Sequence, residues 1–200
     1  YTLMGKYLVT FTARQDGSSV LAEGNKWKFF PSAALAWNLS RENFMSGLSQ
    51  INQFKVRGSY GLTGNQAIQP YESLGQLTSV FTTQNGNVVT ALRPSNLGNA
   101  ELTWETTAQT DIGIDLGILD DQFTITLDYY KMITSDLLFD VELPGFIGVA
   151  TQTRNIGEVE NKGFEVAVGA KLMTNNQLNW SVSANLSLNR NKILKLAENN

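Results

Sequence analysis

This sequence contains no cysteine and no histidine. The first absence excludes disulfide staples, thiolate nucleophiles and thiolate-ligated zinc. The second removes the commonest general base and the commonest metal-ligating side chain. Positive charge is sparse: 15 Lys and Arg stand against 18 Asp and Glu, for a formal net charge of -3, so the chain lacks the basic footprint that nucleic acid requires. Long apolar runs are missing too. Stretches such as residues 33–37 fall far short of the ~20 residues of a membrane helix. Nor is there a phosphate-cradling glycine loop, a calcium loop, a zinc-protease helix motif or a nucleophile elbow. No metal, cofactor or catalytic residue is expected.

What the chain does have is alternation. Leu178, Trp180, Val182, Ala184, Leu186 and Leu188 interleave with Asn179, Ser181, Ser183, Asn185 and Ser187. Side chains of a strand point to opposite faces in turn, so this is a ribbon with one apolar and one polar side. Its length of about eleven residues exceeds the usual strand of five or six and matches the roughly 9–11 of a tilted bilayer-crossing strand. The same count places about seven strands, near residues 6–14, 32–39, 54–62, 104–117, 122–133, 163–173 and 178–189. A mean hydropathy of -0.16 does not conflict with a membrane wall, because each lipid-facing residue of a barrel is followed by a polar one.

The connections between these strands run about 17, 14, 41, 4, 29 and 4 residues. Outer-membrane barrels join strands alternately by long extracellular loops and short periplasmic turns. In that phase Asp120-Asp121 and Thr174-Asn175-Asn176 are periplasmic hairpins, and Ser40 caps a short helix running through Phe44 to Leu48. Tyr7, Trp37, Phe54, Trp104, Tyr129 and Trp180 fall near strand ends, where interfacial girdles place aromatic rings. Gly17 and Gly64 are expected at positive φ in loop turns, Pro31 as the first residue of a strand, and Asn161-Lys162-Gly163 as a turn. Gly113, Gly117 and Gly169 on the polar faces suit a crowded wall.

The fold expectation is all-β: an antiparallel transmembrane β-barrel wall. The alternative is a soluble or cell-surface β-sandwich binding module with two sheets face to face. Chemistry is thin. Glu105, Gln109, Asp111 and Asp115 share one face of the fourth strand, but carboxylates four residues apart along a strand lie roughly 13 Å apart, beyond glycosidase spacing. They read as lumen-facing wall residues that pair with Arg or Lys across strands or with a plug; Lys55 and Arg57 on the polar face of the third strand either meet such carboxylates or a plug, or are simply solvated in a wet lumen. Specificity is expected in the long loops, which carry Tyr71, Phe81 and Arg93 in one and Phe139, Phe146 and Arg154 in another. No substrate-binding residue is assigned.

Several segments resemble a known family. Arg14-Gln15-Asp16-Gly17-Ser18-Ser19, followed by Trp27-Lys28-Phe29-Phe30-Pro31-Ser32, resembles a loop and strand entry of the SusC/RagA family of TonB-linked outer-membrane receptors. Arg57-Gly58-Ser59-Tyr60-Gly61-Leu62-Thr63-Gly64-Asn65 resembles its Arg-x-Ser-Tyr-Gly-x-Thr-Gly-Asn signature, and Leu102-Thr103-Trp104-Glu105 its Trp-Glu strand start. Asp128-Tyr129-Tyr130-Lys131, Asp136-Leu137-Leu138, and the run from Asn155 through Gly163 to Glu165 also fit. Gln15 and Leu97-Gly98-Asn99-Ala100 depart from the family pattern without touching the fold. The resemblance implies that residues 1–200 are part of a larger, 22-stranded barrel, an internal fragment without its plug domain and remaining strands. It also implies an importer of oligosaccharides or peptides, localised to the cell outer membrane. Its partners would be outer-membrane lipid, a SusD-like surface lipoprotein, and TonB acting through the N-terminal region outside this chain.

Overall fold

The computed structural model describes residues 1–174 and 178–196. In chain order the strands are β1 (Thr2–Leu3), β2 (Tyr7–Gly17), β3 (Trp27–Asn38), β4 (Ile51–Asn65), β5 (Gln76–Gln84), β6 (Asn87–Asn96), β7 (Glu105–Ile118), β8 (Phe123–Ser135), β9 (Leu138–Glu142), β10 (Thr151–Asn155), β11 (Glu158–Thr174) and β12 (Asn179–Lys195). Eight of them form one antiparallel sheet in the order β1-β2-β3-β4-β7-β8-β11-β12. Each long strand therefore pairs with the next long strand, the up-and-down meander of a barrel wall. The seven long strands have 11 to 17 residues each. The remaining strands form two small hairpins, β5–β6 and β9–β10, inside the two longest connections. A second large sheet, which a sandwich needs, is not present among the described residues.

Register turns the alternation of single strands into continuous rows. Trp37, Val56, Ile114, Leu127, Val166 and Leu186 lie side by side across β3, β4, β7, β8, β11 and β12. The next row toward the long loops reads Leu35, Gly58, Ile112, Tyr129, Phe164 and Leu188. On β11 the apolar positions run from Phe164 to Leu172, ~27 Å along the strand, or ~20 Å of height at the usual tilt of a barrel strand. This face is uncovered: Phe11 is 78% exposed and Leu186 59%. The opposite face carries polar rows, such as Arg57, Gly113, Asp128, Glu165 and Ser187.

The seven expected strands are all present; β7 keeps its expected length shifted by one residue and the others are longer, but several local expectations need correction. Pro31 is the fifth residue of β3 rather than its first. It lies just before pairing with β4 begins at Ser32, where one side of the strand is still open and a missing N–H is tolerated. Gly17 and Gly64 are strand residues without positive φ. A Cβ at Gly17 would sit 2.6 Å from the Trp27 ring, and one at Gly64 2.1 Å from the Phe30 ring, so close approach explains both. Asn161-Lys162-Gly163 is not a turn but part of β11, and Gly163 lies beneath the Tyr130 ring. The crowding expected at Gly113 is found: its Cβ would meet Arg57 and Asp128 at 2.5 Å.

At the short-turn end, the helix expected from Ser40 is replaced by two 3-10 turns, Leu39–Arg41 and Asn43–Met45, and Ser40 lies inside the first rather than capping it. Between β7 and β8, Leu119, Asp120 and Asp121 all adopt positive φ, and the Asn52 side-chain amide clamps Asp121. Of the hairpin expected at Thr174-Asn175-Asn176, Thr174 is the last residue of β11 and the other two lie outside the described residues. Glu42 anchors this end. Its carboxylate accepts bonds from Lys6 Nζ at 2.8 Å, Tyr7 Oη at 2.7 Å and Trp37 Nε1 at 3.0 Å. The Tyr7 and Trp37 rings stack at 6.1 Å, as amphipathic rings do at an interface.

Those three donors, Lys6 foremost, hold the Glu42 carboxyl at about 2 instead of the ordinary 4.5. A depressed acid stabilises the fold above its unfolded value, and that contribution disappears as pH falls through the folded one. Acidification from pH 4.5 to about 2 should therefore weaken the wall at this end. Glu42→Gln is expected to flatten this part of the pH profile of thermal unfolding; an unchanged slope would assign the acid sensitivity elsewhere.

Candidate functional site

Two regions carry polar chemistry: the polar face of the wall and the cap made by the long loops. On the wall, Arg57 reaches across β7, its guanidinium 3.3 Å from the Asp115 carboxylate and 2.6 Å from that of Asp128 on β8. It can do so because its cross-strand neighbour is Gly113, which has no side chain to fill the space. Thr126 donates to Asp115 at 3.4 Å. Asp111 accepts from Gln109 at 3.0 Å and Ser59 at 3.3 Å. Asp111 and Asp115 are thus held by separate donors, as wall residues. Of the two expected cations, Arg57 meets carboxylates; Lys55, although opposite Asp115 in register, makes no ion pair among the described residues. A shallow cleft of about 360 Å³ opens beside this network, lined among others by Thr12, Arg14, Phe30, Ser59, Gln109 and Asp111.

The cap is knitted by amide side chains. Asn155 imitates a strand partner: its Oδ1 accepts from Thr103 N at 2.9 Å and its Nδ2 donates to Thr103 O at 2.8 Å. Asn99 donates to Thr153 O at 3.0 Å, Gln152 to Gly98 O at 3.0 Å, and Asn25 to Leu102 O at 3.2 Å. Glu105 accepts from Leu138 N at 2.8 Å and Asn65 Nδ2 at 2.7 Å. Gly98 lies so close to Ser73, Leu74 and Gly75 that a Cβ would strike their backbone. Beneath these contacts lies a small apolar cluster of Leu21, Phe30, Leu102 and Trp104. Trp104, expected on the lipid-facing side at a strand end, is instead 3% exposed and set edge-on to Phe30 at 5.7 Å. It precedes the first residue of β7, so the strand's alternation does not govern it.

The loop aromatics do not converge. Phe81 projects from β5, Phe139 lies on β9, and Phe146 sits 90% exposed on the 3-10 turn Gly145–Ile147. Tyr71, at φ +67°, is exposed on the approach to β5, and no ring contact joins any of these among the described residues. Arg93 lies on β6 opposite Thr78, and Arg154 donates to Gln152 at 2.9 Å. Neither hairpin was anticipated. One signal was present: Asn85-Gly86, both at positive φ, is the two-residue turn that right-twisted hairpins prefer, and it sits between runs rich in Val and Thr. Among the described residues, no group of three or more acidic side chains is placed to hold a metal. Nor, among those residues, is any helix long and apolar enough to cross a membrane, which says nothing about crossing by strands.

Comparison with known proteins agrees with this architecture. Residues 1–198 match the family described as TonB dependent receptor-like, beta-barrel. A TonB-dependent receptor of Formosa agariphila is 43% identical over 198 residues, 99% of this chain and 20% of that protein. The TonB-dependent receptor SusC of Bacteroides thetaiotaomicron is 35% identical, over 98% of this chain and 20% of its own length. Among solved structures, the RagAB peptide importer in the closed-closed state superposes with a TM-score of 0.85 at 27% identity, covering 96% of this chain and 21% of that one. The siderophore receptor PirA of Pseudomonas aeruginosa shares the fold, with a TM-score of 0.55 at 17% identity. The chain thus spans about a fifth of the length of the relatives it matches. With its long antiparallel strands, its uncovered apolar face and a family match across nearly its whole length, this chain belongs to the TonB dependent receptor-like β-barrel family.

Proposed function

We propose that this chain is a stretch of barrel wall, with its loops, from an outer-membrane TonB-dependent transporter. The observation that carries the reading is the continuous apolar face, whose successive cross-strand rows are exposed along the sheet. Water does not favour such a surface at this size; lipid does. In this reading the polar face lines the lumen, the long connections are extracellular and the short turns periplasmic. The cargo is an oligosaccharide or a peptide, met by the loop cap and the polar face. The remaining strands and a plug come from the rest of the protein, energy from TonB, and a SusD-like lipoprotein covers the loop end. Support for a peptide cargo comes from a neighbour whose name is RagAB peptide importer, and the oligosaccharide alternative rests on the family resemblance of the sequence.

The test uses the full-length protein that carries this segment, reconstituted in vesicles. A fluorophore attached at Leu186, in the middle of the apolar face, should be quenched by lipids brominated on their acyl chains, and one at Asn185 should not. Equal accessibility of both to a water-soluble quencher, with no effect of brominated lipid, would overturn the membrane reading.

A further inference from the structure

On the apolar face, rows of aliphatic and aromatic residues end abruptly in one sector. Directly beyond Tyr129, Phe164 and Leu188, the next row toward the long loops is Lys131, Lys162 and Arg190, one residue on each of β8, β11 and β12. Lys192 follows in the row after, opposite Glu160. Glu160 reaches Lys131 at 3.1 Å and Lys162 at 2.7 Å, holding those two ammoniums together. Arg190 and Lys192 are exposed and have no ion-pair partner among the described residues. Four cations thus stand in two adjacent rows with one carboxylate, which is ion-paired to two of them. The same cross-strand row continues through Thr110 on β7, Tyr60 on β4, Ala33 on β3 and Phe11 on β2, so within that row the cations are confined to β8, β11 and β12.

Like charges directly opposite each other across strands destabilise a sheet. Lys131, Lys162 and Arg190 form such a series, and a single carboxylate neutralises only part of it. Their place is informative. A cation facing the hydrocarbon midplane costs about 2–4 kcal/mol, whereas here the cations begin where the apolar rows stop, at the level of headgroups. Their long stems can lie along Tyr129, Phe164 and Leu188 while the charges reach the interface. We infer that Lys131, Lys162, Arg190 and Lys192 form a docking site for the phosphate groups of phosphorylated lipid in the leaflet at the loop end. The inference rests on the membrane reading above. The occupant follows from charge complementarity and from continuity with the lipid-facing rows. A soluble anion would have no reason to meet a site bordered on one side by an acyl-chain surface.

The test uses the full-length protein in nonionic detergent, titrated with diphosphorylated lipid A, with the same lipid after dephosphorylation, and with inorganic phosphate. Diphosphorylated lipid A should bind and raise the unfolding temperature, while the other two should have little effect. Combining Lys162→Gln, Arg190→Gln and Lys192→Gln should weaken that binding by roughly tenfold or more. A charge-keeping variant, Lys162→Arg with Lys192→Arg, should bind as the parent does. Equal binding of dephosphorylated lipid, or an equal response to inorganic phosphate, would overturn the proposal. So would unchanged affinity in the triple variant, the outcome if a following wall strand neutralises Arg190 and Lys192. The Leu186 fluorophore separates the two failures. If brominated lipid quenches it while the charge changes do nothing, only this inference falls; if it is not quenched, the membrane reading falls with it.

Discussion

Val166→Arg should sharply reduce assembly of the full-length protein in the membrane, while Ala167→Arg, one residue along the same strand, should be tolerated. Val166 lies between Leu127 and Leu186 in the middle of the apolar face; Ala167 lies between Thr126 and Asn185 on the polar face. A barrel residue facing the bilayer midplane exacts about 2–4 kcal/mol when changed to Arg, and a lumen-facing one is surrounded by water and polar side chains. That difference, set against a net stability of about 5–15 kcal/mol for a folded domain, is large enough to shift the folded fraction visibly. The measurement is the amount of each variant that is membrane-inserted and resistant to unfolding in mild detergent. Comparable yields for the two variants would mean that the faces have been assigned to the wrong environments.

Trp104→Ala is expected to loosen the loop cap while leaving the wall intact. The indole closes a cluster in which Leu102 is 0% and Leu21 2% exposed. Removing a buried Trp or Phe costs about 3–5 kcal/mol, through lost burial and the cavity left behind. The wall strands are held by their own long ladders, so the loss should be local. Amide hydrogen exchange should therefore accelerate in residues 18–26 and 66–104, with little change in β7, β8 and β11. Trp104→Phe should retain most of the protection, because the Trp104 Nε1 has no hydrogen-bond partner among the described residues and its removal forfeits none. Equal acceleration throughout the wall would show that the cap and the wall unfold as one unit.

The strands and their faces were legible from the chain because a period of two is a local property: Val182, Leu186 and Leu188 declare their side without knowledge of any neighbour. The β5–β6 hairpin was legible in principle from Asn85-Gly86, but the surrounding polarity of the long loop concealed it. Shared polarity left pairing of Arg57 with carboxylates open beside a plug contact or simple solvation, and the structure shows the carboxylates. Its choice of Asp115 and Asp128 over Asp111, and the exclusion of Lys55, were not legible, because they depend on Gly113 lying opposite Arg57.

By itself, then, the amino-acid order determined which residues form long strands, which side of each is apolar, and the up-and-down sequence of long and short connections, since alternation and turn chemistry act over a few neighbouring residues. Tertiary structure decided the rest. It turned Trp104 inward, set Gly17 and Gly64 beneath aromatic rings, extended β11 through Asn161-Lys162-Gly163, and brought Lys131, Lys162 and Arg190 into one row. The physical reason is register: the neighbour of a side chain across a sheet is fixed by pairing between strands, and residues that become neighbours in this way lie tens of positions apart along the chain.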